Sequence, residues 1–206
     1  MDTFDREQHW DTIYNNKSMQ EVSWYQPIPK PSLYLIKSFK LPLDAKIIDI
    51  GGGDSFLVDN LIELGFNDIT VLDISAKAIE KAQLRLGDKA KTIKWIVSDA
   101  ADFKPTEVYD LWHDRAAFHF LTYANEIDNY VTTVNSNIND EGYLVIATFS
   151  EQGPKKCSGI DIKQYSKERM QSRFNDKFEL INSFTHDHTT PFNTVQNFLY
   201  CSFKRK

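Results

Sequence analysis

From residue 47 onward the apolar positions switch between two periods. Ile47, Ile48 and Ile50 form a short apolar run around Asp49, which reads as a buried strand. Leu57, Leu61 and Leu64, with Val58 and Ile62 beside them, mark the stripe of a helix. Val71, Leu72 and Ile74 around Asp73 predict a second strand. Ala78, Ile79, Ala82 and Leu86 predict a helix over 75–86, with Ser75 as its N-cap and Gly87 as its stop. Strands are expected at 93–97, 108–112 and 143–149, and helices at 126–138 and 166–174, with a turn at Asp140, Glu141 and Gly142. Strand and helix in alternation predict an α/β fold with a parallel sheet. The last two strands, 178–185 and 195–203, are joined by too few residues for a parallel crossover, which needs a dozen or more. They should pair as an antiparallel hairpin. Ahead of the first strand, residues 5–16 read as a helix with Trp10, Ile13 and Tyr14 on one face. Pro27, Pro29 and Pro31 then interrupt regular structure until about residue 32.

Between the first strand and its helix stand three consecutive glycines, Gly51, Gly52 and Gly53. Such a turn lets a ligand approach the backbone closely. Asp73 lies 20 residues beyond Gly53, at the end of the second strand, where a carboxylate accepts hydrogen bonds from both hydroxyls of a ribose. A dinucleotide fingerprint needs glycine at its sixth position, and Phe56 stands there. Asp49 and Asp54 flank the turn and would repel a pyrophosphate. The ammonium and sulfonium of S-adenosylmethionine suit an acidic mouth, and its carboxylate can use the amides opening the helix. A structural turn without ligand is the alternative.

The run Asp49-Ile50-Gly51-Gly52-Gly53-Asp54-Ser55 resembles the first motif of class I S-adenosylmethionine-dependent methyltransferases, D-x-G-x-G-x-G, with Ser55 in place of the third glycine. The resemblance extends over about residues 5–203. It implies a Rossmann-like, seven-stranded mixed sheet of order 3-2-1-4-5-7-6 with helices on both faces, and one methyltransferase domain over 1–206. It also implies cofactor contacts from Asp49, Gly51, Gly53, Ser55, Asp73 and Ile74, and adenine contacts from Asp99 and Ala100 after the third strand. Trp10, Tyr14 and Trp24 belong to an aromatic segment within 1–40 whose layout resembles that of thiol, thiopurine and protein-lysine methyltransferases; a lid over the cofactor is one reading, and covering a sheet edge is the other. His113, Asp114 and Arg115 follow the fourth strand, beside the expected methyl. Asp114, His119 and His113 are therefore the candidates for acceptor positioning or proton removal. A structural ion pair between Asp114 and Arg115, and a core role for His119, are the alternatives.

The acceptor is less constrained. Asp114-Arg115 followed by small apolar residues is similar to thiol and thiopurine methyltransferases, which implies a small molecule. Gly53-Asp54-Ser55 is similar to enzymes that methylate lysines of elongation factor 1A, which implies a protein. The small molecule is preferred. An NAD-dependent oxidoreductase and a non-catalytic S-adenosylmethionine-binding protein are the rival classes. A net charge of −5 over 206 residues disfavours nucleic-acid and anionic-membrane partners. No apolar run approaches the roughly 20 residues of a membrane span. Two cysteines, Cys157 and Cys201, give no disulfide framework, and a cytoplasmic protein is expected. His186 and His188 alternate along a strand and could be imagined with Cys157 and His119 as a metal site, but their spacing fits no standard zinc pattern, and no metal is expected.

Overall fold

A computed structural model describes residues 4–206; Met1, Asp2 and Thr3 of the expected N-terminal cover lie outside the described residues. The strands are β1 (Lys46–Ile50), β2 (Asp68–Asp73), β3 (Ile93–Val97), β4 (Tyr109–Arg115), β5 (Ile138–Phe149), β6 (Lys156–Cys157), β7 (Ile160–Asp161), β8 (Phe178–Thr189) and β9 (Val195–Arg205). The α-helices are α1 (Arg6–Asn16), α2 (Lys30–Ser38), α3 (Leu57–Glu63), α4 (Ala76–Leu86), α5 (Ala124–Asn137) and α6 (Lys167–Phe174).

Seven strands form one sheet of order β3-β2-β1-β4-β5-β9-β8. β1 to β5 are parallel where they pair, and β9 is antiparallel to both β5 and β8. This is the arrangement expected, renumbered because β6 and β7 form a separate two-stranded ribbon. That ribbon lies between β5 and α6. Ser158 and Gly159 join its strands, both with positive φ, as a tight two-residue hairpin requires.

Alternation along the strands builds two cores. Ile48, Ile50, Trp112, Leu144 and Ile146 face α5 and α6 through Tyr130, Val134, Met170 and Phe174. Ile47, Leu111, Val145 and Ala147 face α2 and α3 through Leu35, Ile36, Val58 and Leu61. Trp10 and Tyr14 of α1 pack with Ala78 of α4 as a smaller third cluster.

Local signals set several boundaries. Ser75 and Ser166 cap α4 and α6 by accepting the N–H of Ala78 and of Arg169. α2 begins earlier than expected because Pro31 sits in its first turn, where a missing N–H costs nothing. The turn expected at 140–142 is absorbed into β5 as an irregularity, with Glu141 at φ 65°. The largest departure is β4. It does not stop at Trp112 but runs on to Arg115, held between β1 and β5.

Candidate active site

The C-terminal ends of β1, β2 and β4, covered by the N-terminal segment, enclose a cavity. Asp49, Gly51, Ser55, Asp73, Ile74, Asp99 and Ala100 line it, as do Trp10, Tyr14, Trp24 and His113. Gly53, Asp114 and His119 do not. Gly53 instead lies against Asp73: a Cβ there would stand 2.5 Å from Asp73 Oδ2, so only glycine lets the turn pass the carboxylate. At Gly51 (φ 65°) a Cβ would meet Ala117 Cβ at 2.8 Å.

The extension of β4 decides which of its end residues reach the cavity. Successive strand residues face opposite sides. His113 and Arg115 share the side of Leu111, while Asp114 shares the side of Trp112 and is 0% exposed. Asp114 accepts N–H from Ala117 (2.9 Å) and Phe118 (3.1 Å), and the hydroxyl of Tyr130 (2.6 Å). It fastens the turn that walls the cavity rather than facing the methyl, which corrects the placement expected from sequence. The same parity precludes an Asp114–Arg115 ion pair. His119 also sits behind the wall. Phe149 N–H donates to its Nδ1 at 3.3 Å, its ring packs on Phe120 and Phe149, and burial drives its pKa down to about 3. It is a neutral core histidine whose one lone pair is taken.

His113 lies beside Asp49 in the sheet. Its Nδ1 is 2.7 Å from Asp49 Oδ1 and its Nε2 is 2.8 Å from the Ser32 hydroxyl on α2. A carboxylate can only accept, so Nδ1 carries the proton and Nε2 accepts from Ser32. Ser32 is thus a site residue that sequence reasoning missed; its partner is 81 residues away.

Charge in the mouth differs from the sequence expectation. Asp54 is bonded to Arg85, which also grips Asp59 and stacks on Phe56, so it does not act as a free acid of the turn. The acidic wall is Asp49 and Asp73. Asp73 accepts the N–H of Ser75 (2.8 Å), yet burial, with Asp49 and Asp11 adding their charge, pushes its pKa up to about 7. Asp99 accepts the N–H of Ala101 and pairs with Arg6 at 2.7 Å. The amide opening α3 is partly engaged, since Leu57 N–H reaches Ser55 Oγ at 3.4 Å.

Aromatic rings close the mouth. Trp24 meets Trp10 at 5.7 Å and Tyr14 at 6.1 Å between ring centroids, and Trp10 meets Phe120 at 5.1 Å. Cys157 of the β6–β7 ribbon lines the same cavity, with its pKa pushed up to about 11 by burial, so it remains a thiol. Among the described residues no group of three or more His, Cys, Asp or Glu side chains could hold a metal ion. His186 packs against Tyr200, and His188 is bonded to Gln26 and to the carbonyl of Ser23. Among the described residues no helix is long and apolar enough to cross a membrane.

Residues 43–197 match the model of a family described as a methyltransferase domain. A malonyl-[acyl-carrier protein] O-methyltransferase of Anoxybacillus flavithermus is 31% identical over 107 residues. That match covers 52% of this chain and only 39% of that relative. EEF1A lysine methyltransferase 2 of Homo sapiens is 23% identical over 190 residues, covering 84% of this chain and 74% of that protein. A solved SAM-dependent methyltransferase from Anabaena variabilis superimposes with a TM-score of 0.75 at 14% identity, over 99% of this chain and 96% of that one. That likeness is one of fold.

Proposed function

The chain belongs to the methyltransferase domain family, and from that premise we propose that it transfers a methyl group from S-adenosylmethionine to a small-molecule acceptor. Asp73 carries the reading. It is a carboxylate on the cavity wall, at the end of β2, with too few donors to keep its charge at the usual carboxylate pKa. The two hydroxyls of a ribose are the donors it lacks, and they fit a group that the backbone passes only because residue 53 is glycine.

When bound, S-adenosylmethionine supplies an electrophilic methyl on a sulfonium. The chain's residues supply the rest. Asp49 and Asp73 place negative charge on the donor side of the cavity. Gly51, Ser55 and Ile74 shape the wall against the methionine and ribose. Trp10, Tyr14 and Trp24 keep water out and offer ring faces to a cation. Asp99 and Ala100 are positioned for the adenine edge, where Arg6 competes for Asp99. On this reading the whole of 1–206 acts as one methyltransferase domain.

Of the three residues expected to serve proton removal, His113 is the one on the cavity. Its Nε2 accepts the Ser32 proton, so Ser32 Oγ can take a proton from the acceptor as it passes its own to His113. Asp49, bonded to Nδ1, then faces an imidazolium. Ser32→Ala is expected to lower kcat about tenfold or more, with KM for S-adenosylmethionine unchanged. An unaltered kcat would remove the relay.

A protein-lysine acceptor is the second reading, favoured by the relative that acts on EEF1A lysine. Against it stands Arg115, a cation on the cavity wall that would repel an incoming ammonium. The test is calorimetric titration with S-adenosylmethionine, S-adenosylhomocysteine and NAD, followed by transfer of labelled methyl to small-molecule and protein fractions. Binding of the first two ligands and label in small molecules is expected. Failure of both to bind would overturn the donor reading, and label confined to protein would overturn the acceptor reading.

A further inference from the structure

The cavity has a second polar face, on the β9 side, that the donor does not account for. Arg115 is anchored there by three contacts: Nε donates to the Tyr200 hydroxyl (3.1 Å), Nη1 to the Trp24 carbonyl (3.4 Å), and Cζ lies 4.7 Å from the Phe198 ring centroid. Its Nη2 is buried without a hydrogen-bond partner, and among the described residues no carboxylate lies within ion-pair distance of it. A partly buried guanidinium without an anion is costly, and a buried N–H left without an acceptor adds to that cost. Gln26 lines the same cavity. Its Nε2 is fixed on His188 Nδ1 at 3.0 Å, because His188 Nε2–H is itself committed to the Ser23 carbonyl at 2.7 Å. That chain leaves Gln26 Oε1, which is buried and has no partner.

One side of the cavity therefore presents an unmet cationic donor and an unmet neutral acceptor, over the aromatic floor of Phe149 and Phe198. We propose that Arg115 and Gln26 are the acceptor's recognition pair, and that the acceptor is a small carboxylate bearing a neighbouring N–H or O–H. The anion takes Nη2 and the donor takes Oε1. An aromatic or aliphatic body lies on the Phe rings. The cofactor's own carboxylate is not the intended occupant: Arg115, at the end of β4, is drawn across β5 towards Tyr200 of β9, away from the acids assigned to the donor, which lie on β1 and β2 and after β3.

This inference rests on the methyltransferase reading, and its test keeps the two apart. Protein saturated with S-adenosylhomocysteine is titrated with a panel of aromatic and aliphatic hydroxy and amino acids, each beside its primary amide. Saturation itself checks the donor reading. At least one acid should bind about tenfold or more tightly than its amide, since charge-assisted hydrogen bonds are roughly twice as strong as neutral ones. Arg115→Gln should abolish that preference and leave S-adenosylhomocysteine affinity within about twofold. Gln26→Leu, in the covering segment, should weaken the preferred acid about tenfold while keeping the acid-over-amide ratio. No acid preferred over its amide, or an Arg115→Gln protein that loses S-adenosylhomocysteine, would overturn the assignment.

Discussion

Asp73→Asn is expected to make the ligand-free protein more stable at pH 8 and to weaken S-adenosylmethionine binding about a hundredfold or more. Both effects come from one carboxylate. Its pKa in the folded protein is about 7, against about 4 for an ordinary aspartate. Between those values the folded chain keeps a proton that the unfolded chain has released. Stability therefore falls as pH rises from about 4 to 7, and above 7 the full cost of the buried charge is present, at most about 4 kcal/mol. Asparagine keeps an oxygen to accept the Ser75 N–H and carries no charge. Its melting temperature should exceed that of the wild type by several degrees at pH 8, and the advantage should vanish near pH 4. The binding loss reflects two hydrogen bonds to a charged acceptor, each contributing about 1.5–3 kcal/mol. Thermal scans at both pH values with calorimetry for the cofactor decide the matter. A variant less stable than wild type at pH 8 would show that Asp73 is not held at a cost, and the case for missing donors would go with it.

The second large effect concerns Asp114. Asp114→Ala removes one acceptor and strands three donors: the N–H groups of Ala117 and Phe118 and the hydroxyl of Tyr130. A loss of about 3–5 kcal/mol is expected, a large part of a total of about 5–15. The turn from Ala116 to Phe120 forms part of the cavity wall, so S-adenosylhomocysteine affinity should fall together with the melting temperature. Asp114→Asn retains an acceptor and should recover most of both. The catalytic role suggested by the residue's position in the sequence makes the opposite forecast: kcat lost with the melting temperature intact. Burial also raises the pKa of Asp114 to about 6, lowered in part by Tyr130 and the two amides. Unlike Asp73→Asn, Asp114→Asn should therefore bring no gain over the wild type, because those three donors already favour the charge.

Much of the donor half was legible from local pattern. The glycine turn, the strand before it and Asp73 after it lie within a single βα unit and the next strand, so sequence spacing reports their geometry directly. The aromatic cover was legible as composition, because large rings ahead of the first strand need something to pack on, and Trp10 and Tyr14 are buried with Trp24 partly buried against them. The hairpin pairing followed from the short connection between β8 and β9.

The acceptor half was not. A strand's end is set by the neighbours it can pair with, and β4 reaches Arg115 because β1 pairs with it as far as Asp114 and β5 as far as Arg115. Three more paired residues turned a supposed loop into an alternating strand, sent Asp114 to the α5 side and brought His113 and Arg115 to the cavity. The hydrogen bonds of Ser32 to His113 and of Gln26 to His188 join residues 81 and 162 positions apart. Nothing in the local pattern marks such pairs, since each side chain taken alone is an ordinary polar residue. The sequence by itself determined the order of elements and the glycine turn with Asp73 beyond it. Which polar atoms face the cavity, and which are left there without partners, was decided by strand parity and by long-range packing.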